Sequence, residues 1–82
     1  MLDCEQLEKI IGDAFLCEEI IIETDGKHYD AIIISSGFEG KNRVARQQMI
    51  NAALKPLFDS GELHALSMKT LTPAELENLR NG

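Results

Sequence analysis

The chain predicts an α+β domain, a three-stranded mixed sheet with helices packed on one face, in the order α-β-β-α-β-α. Three observations carry this. Apolar residues recur at helical spacing over 3–15, 42–59 and 73–80. β-branched runs lie between them, at Ile20–Ile22 and Ile32–Ile34. Asp25-Gly26 separates those two runs, a dipeptide suited to the positive φ angles of a tight hairpin turn.

Each element follows from its residues. Asp3 is a helix cap, and Gln6 three residues on completes a capping box. Leu7, Ile10, Ile11, Ala14 and Phe15 then share one helical face, although Gly12 costs the helix about 1 kcal/mol relative to alanine. Glu18–Thr24 and His28–Ser36 form a hairpin, with His28 near its tip. Ser35-Ser36-Gly37 and Gly40 are turn residues. Asn42 caps a long helix whose expected apolar stripe is Ala45, Met49, Ala52, Ala53 and Leu57. Pro56 removes a backbone donor and is expected to kink or shorten it, and Gly61 is a candidate left-handed C-terminal residue. Leu63–Leu71 reads as a third strand, with His64 at its mouth. Thr72-Pro73 with Glu75 starts a short last helix that leans on the sheet through Leu76 and Leu79. A helical connection between the second and third strands makes that pair parallel if they are neighbours.

Eighty-two residues are read as one domain spanning 1–82. A chain of this size buries only about 60–65% of its unfolded surface, so the core is compact and, without tryptophan, aliphatic. The net charge of −6 argues against bulk nucleic-acid binding, which relies on an excess of Lys and Arg. The asymmetry tempers this, because Lys41, Arg43, Arg46 and Lys55 fall close together and can make one face locally positive. The longest apolar run, Ala31–Ile34, is far short of a membrane span. An acidic N-terminus with spaced apolar residues does not read as a signal peptide. Two cysteines without CxxC spacing make neither a disulfide scaffold nor an autonomous zinc site. A reducing cytoplasm is the expected compartment.

Little in the chain suggests catalysis. The serines lack a GxSxG elbow, Glu18-Glu19 reads as solubilising surface, and no phosphate loop of the P-loop or Rossmann type is present. Cys4, in a first helical turn, reads as an inert thiol, and Cys17, at a strand entrance, as partly buried packing. Gly37-Phe38-Glu39-Gly40 formally matches the GxxG clamp of KH domains, but an acid sits inside it. The two histidines, His28 and His64, are the remaining candidates. Convergent imidazoles would be half of a first-row metal site, whose other ligands must come from another molecule. Solvent-exposed polar residues are the plainer alternative.

Asp25-Gly26-Lys27-His28-Tyr29, Phe38-Glu39-Gly40-Lys41, Arg43-Val44-Ala45-Arg46, His64-Ala65-Leu66-Ser67-Met68-Lys69-Thr70 and Thr72-Pro73-Ala74-Glu75 occur in this order over nearly the whole chain. Together they resemble the BolA family, most closely its YrbA/IbaG-type bacterial branch. The resemblance implies a class II KH-like fold. It also implies apo and [2Fe-2S]-bridged heterodimers with a monothiol (CGFS-type) glutaredoxin, in iron–sulfur trafficking, iron homeostasis and stress response. The cluster would be shared with a glutaredoxin cysteine and glutathione. His64 matches the family's ligand in the third strand, and His28 matches the variable-loop position. Histidine on one iron makes such a centre less reducing than thiolate ligation throughout. The third strand and the C-terminal end of the long helix would supply the glutaredoxin contact. Two departures stand out: many relatives have Arg-His where this chain has Arg46-Gln47, and the family's equivalent of the GxxG turn reads Gly40-Lys41-Asn42-Arg43. The runner-up is a KH-like DNA-binding transcriptional regulator acting through Lys41, Arg43 and Arg46. A bare protein-interaction module is a third reading. The free form is expected to be a monomer or weak homodimer.

Overall fold

Asp3 and Gln6 close the expected capping box at the start of the chain. The Asp3 carboxylate accepts from the Gln6 amide at 2.8 Å, and the Gln6 side chain accepts from the Asp3 amide at 3.0 Å. The computed structural model describes residues 2–81. Helix α1 spans Cys4–Ala14, strand β1 Glu19–Thr24 and strand β2 Tyr29–Ile34. A 3-10 turn follows at Ser36–Phe38, then helix α2 at Arg43–Ser60, strand β3 at Leu66–Leu71 and helix α3 at Pro73–Asn81.

The sheet has the order β1-β2-β3, with β1 and β2 antiparallel and β2 and β3 parallel. Alternation sorts its side chains. Tyr29, Ala31 and Ile33 are buried, Ile20, Ile22, Leu66 and Met68 half-buried, and all pack with α1 and α2 around Leu7, Ile11, Ile50 and Leu54. The opposite face carries exposed Glu19, Ile21, Glu23, Asp30, Ile32, Ser67 and Lys69. α3 returns beside β3, capped by Thr72 and Glu75 as expected.

Several expectations shift. The hairpin turn is tight as expected, with the Asp25 amide donating to the His28 carbonyl at 3.3 Å and Gly26 at φ 97°. The ladder, however, ends at the Thr24–Tyr29 pair, so β2 begins at Tyr29 rather than His28. Of the expected α2 stripe, Met49 and Leu57 pack half-buried against the core and Ala45 and Ala53 are half-buried. Ala52 is exposed, and the fully buried residues are Arg46, Ile50 and Leu54. Leucine and isoleucine outcompete alanine for the core because they remove more apolar surface from water. Pro56 does not shorten α2, which runs to Ser60 and ends at Gly61 with φ 82°. The carbonyl that Pro56 leaves without a partner belongs to Ala52, an exposed residue, so water can satisfy it. β3 begins at Leu66 rather than Leu63, and Leu79 is exposed rather than packed on the sheet.

Arg46 differs most from expectation. Instead of joining an exposed basic face, it is only 9% exposed. Its Nε donates to the Lys41 carbonyl at 2.8 Å, and Nη1 donates to the Thr70 carbonyl at 3.2 Å and to Glu75 Oε1 at 2.6 Å. Nη2 reaches Glu75 Oε2 at 3.3 Å, and the guanidinium lies 5.7 Å from the centre of the Phe38 ring. The Leu71 carbonyl accepts from the Ser35 amide and so faces β2. Strand alternation therefore turns the Thr70 carbonyl to the outer edge of the sheet, where Arg46 covers it.

Candidate metal centre at the hairpin end of the sheet

The parallel register brings the two histidines to one end of the sheet. Tyr29 is opposite Leu66, so His28 and His64 lie just before the first pair of the β2–β3 ladder. Neighbouring strands are about 4.8 Å apart, which makes these two backbone segments neighbours. Sequence spacing alone could not show this, because α2 and both its flanking loops separate them. His64 belongs to the loop before β3, not to the strand.

The His28 loop is held by side chains. The Thr24 hydroxyl donates to the His28 carbonyl at 2.8 Å and accepts from the Gly26 amide at 3.1 Å. Asp25 Oδ1 accepts from the amides of Lys27 at 2.9 Å and His28 at 2.8 Å. Asp25 Oδ2 lies 3.4 Å from His28 Nδ1. These bonds, first the backbone amide of His28 and then that of Lys27, hold the Asp25 carboxyl down at about 2. The His28 side chain is 74% exposed.

His64 is exposed too, on a shallow cleft of about 390 Å³ that it shares with Leu2, Gly26, Lys27, Tyr29 and Glu62. The Tyr29 hydroxyl donates to the Leu2 carbonyl and fixes one wall of this cleft. His28 is not part of that wall; its ring turns to Asp25. The fold thus joins the two segments while the imidazoles face different groups. Among the described residues no three His, Cys, Asp or Glu side chains gather as a metal cage. Both rings are exposed at the same end of the sheet, and imidazole is a donor type that suits iron when further ligands come from a partner.

The cysteines lie elsewhere. Both are free and half-buried. Cys17 precedes β1, whose first residue Glu19 pairs with Ile34, so it belongs to the far end of the sheet from the histidines. Burial, and then the Glu18 charge, push its thiol pKa up, which disfavours the thiolate a metal needs.

The basic segment divides. Lys41 and Arg43 are exposed, whereas Arg46 is spent on the Lys41 and Thr70 carbonyls and on Glu75. Arg43 also lines a groove of about 640 Å³ with Met68, Lys69, Leu71 and Leu79, along the outer edge of β3. Three amides of the GxxG-like segment are bonded within the turn. The Gly37 amide donates to Ser35 Oγ, the Phe38 amide to the Ser35 carbonyl, and the Glu39 amide to the Ser36 carbonyl. A KH clamp would aim such amides at phosphate.

Comparison with known proteins agrees with this architecture. The family described as BolA-like protein matches residues 13–75. An uncharacterized protein of Haemophilus influenzae is 34% identical over 71 residues, covering 87% of this chain and 84% of its own. The acid stress protein IbaG of Escherichia coli is 28% identical over 74 residues, covering 90% and 88%. Among solved structures, a BolA protein homologue from Coxiella burnetii superposes with a TM-score of 0.83 at 32% identity, covering 94% and 99%. The BolA domain of SufE1 from Arabidopsis thaliana gives 0.79 at 30% identity, covering 92% and 99%. With its helix order, mixed sheet and most of its length in common with these proteins, the chain belongs to the BolA family.

Proposed function

We propose that this protein is a non-enzymatic iron–sulfur partner, binding a [2Fe-2S] cluster only together with a glutathione-loaded monothiol glutaredoxin in the cytoplasm. The observation that carries this reading is the register of β2 and β3, which sets His28 and His64 on one accessible rim in a chain of the BolA family. His64 and His28 would hold the cluster from this side, with thiolates supplied by the partner. When bound, a centre with imidazole on one iron supplies a less reducing couple than one ligated by thiolates throughout. The chain itself contributes exposed imidazoles, an ordered loop under one of them and a cleft beside the other. The relative named as an acid stress protein supports a role in stress response. β3 and the C-terminal end of α2, which leads through Gly61 towards His64, would form the glutaredoxin contact.

Coexpression with a CGFS-type glutaredoxin tests this. A coloured heterodimer is expected, with a visible circular dichroism spectrum distinct from that of the glutaredoxin homodimer. His64→Ala should abolish that spectrum, and His28→Ala should leave a labile cluster. An unchanged spectrum in the His64 variant would overturn the assignment.

Exposed Lys41 and Arg43 favour a second reading, a KH-like DNA-binding regulator. Its weight is reduced by the net charge of −6, by the bonded amides of Gly37, Phe38 and Glu39 and by the commitment of Arg46 to the fold. Under this reading DNA affinity falls steeply with salt, and the slope drops when Lys41 or Arg43 is neutralised. A flat salt response excludes it.

A further inference from the structure

We propose that Asp25 is a positioning residue for His28, selecting the imidazole tautomer that leaves Nε2 free as a donor. This rests on the reading of His28 as a ligand to the shared cluster.

The Asp25 carboxylate is used twice. Oδ1 gathers the amides of Lys27 and His28, which fixes the backbone of the loop. Oδ2 faces His28 Nδ1 at 3.4 Å. An ionised carboxylate has no hydrogen to give, so the second contact is a hydrogen bond only when Nδ1 carries the proton. In a neutral ring the lone pair then sits on Nε2, the nitrogen turned away from Asp25. The ring of a free histidine side chain in water prefers the other tautomer, with its hydrogen on Nε2, so Asp25 works against the intrinsic preference. Metal-bound imidazoles commonly donate their second ring N–H to a carboxylate in this way.

The turn alone does not require an aspartate. Asparagine would accept the same two amides through its carbonyl oxygen, because that bond needs only an acceptor. Its second atom, however, is an NH₂ donor. Facing Nδ1, that donor stabilises the tautomer with a lone pair on Nδ1 and a hydrogen on Nε2, which blocks Nε2 as a ligand. Asp25→Asn therefore separates holding the loop from setting the ring.

The experiment uses the full apo chain labelled with ¹⁵N, at about pH 8.5, where ordinary imidazoles are neutral. Ring ¹⁵N shifts and two-bond couplings report each tautomer. His28 is expected as Nδ1–H in the wild type and as Nε2–H in Asp25→Asn. The backbone amide shifts of Lys27 and His28 should be retained, and His64 should not change. In the coloured heterodimer, Asp25→Asn should lose the cluster about tenfold faster. A wild-type His28 carrying its hydrogen on Nε2, or the same tautomer in both proteins, would overturn the proposal. A tautomer that switches while cluster lifetime stays constant would overturn the positioning role. A wild-type chain that builds no coloured heterodimer would remove the ligand reading itself, and the tautomer measurement on the apo chain keeps that failure separate.

Discussion

Arg46 shows how much one residue decides. A guanidinium has five donors and no acceptor, and this one places four hydrogen bonds on two carbonyls and one carboxylate. Removing it uncovers the Thr70 carbonyl at the sheet edge and frees Glu75. Arg46→Ala is expected to cost about 3 kcal/mol in urea unfolding. Glu75→Gln still offers the Thr72 amide an acceptor but loses the charge, so about 1 kcal/mol is expected. The pH dependence has a definite sign. The hydrogen bond from Arg46, and then the Thr72 amide, hold the Glu75 carboxyl below its ordinary 4.5. Its stabilisation is therefore present above about pH 4.5 and is lost as pH falls through the depressed value. The urea midpoint of the wild type should drop between about pH 6 and about pH 3, and that of Glu75→Gln should drop less. Equal slopes would show that this pair contributes nothing to acid sensitivity. The sequence showed Arg46 as part of a basic run and Glu75 as a capping residue; that they meet was not visible, because the fold brings them together across β3.

At the scale of elements, the local signals served well. Caps at Asp3, Asn42 and Thr72, and the left-handed stop at Gly61, all rest on bonds or dihedrals within a few residues, so they can be read from the chain. Two glycines separate local geometry from packing. Gly61 has φ 82° and open space where a Cβ would sit, so Gly61→Ala is destabilising by about 1 kcal/mol from backbone strain alone. Gly12 lies in α1, and a Cβ there would meet only Ile20 Cδ1 at an ordinary 3.8 Å. Gly12→Ala should stabilise by about 0.5–1 kcal/mol. Thermal or urea denaturation of the two variants should therefore move in opposite directions, and a shared direction would refute the assignment. The limits of β3 and the stripe of α2 were less legible. Both depend on which face meets the core: the loop holding His64 stops short of the ladder, and Ile50 and Leu54 take the buried positions from alanine.

For the whole molecule, topology divides the chemistry between two ends of the sheet. The histidines lie at the Tyr29 end and Cys17 at the Ile34 end, separated by a strand of about 20 Å. Cys17→Ser is accordingly expected to leave the visible spectrum of the glutaredoxin complex unchanged, whereas His64→Ala abolishes it. A lost spectrum in the cysteine variant would place the centre elsewhere. The acidic balance of the chain and its exposed Lys41 and Arg43 were legible from composition. Patterning and turn chemistry by themselves determined the order of elements and their caps, because these follow from periodicity and bonds between near neighbours. Only the tertiary structure decided that His28 and His64 share a rim and that Arg46 belongs to the fold rather than to a basic surface. Those facts depend on the β2–β3 register and on burial, which are set by contacts between residues far apart in the chain.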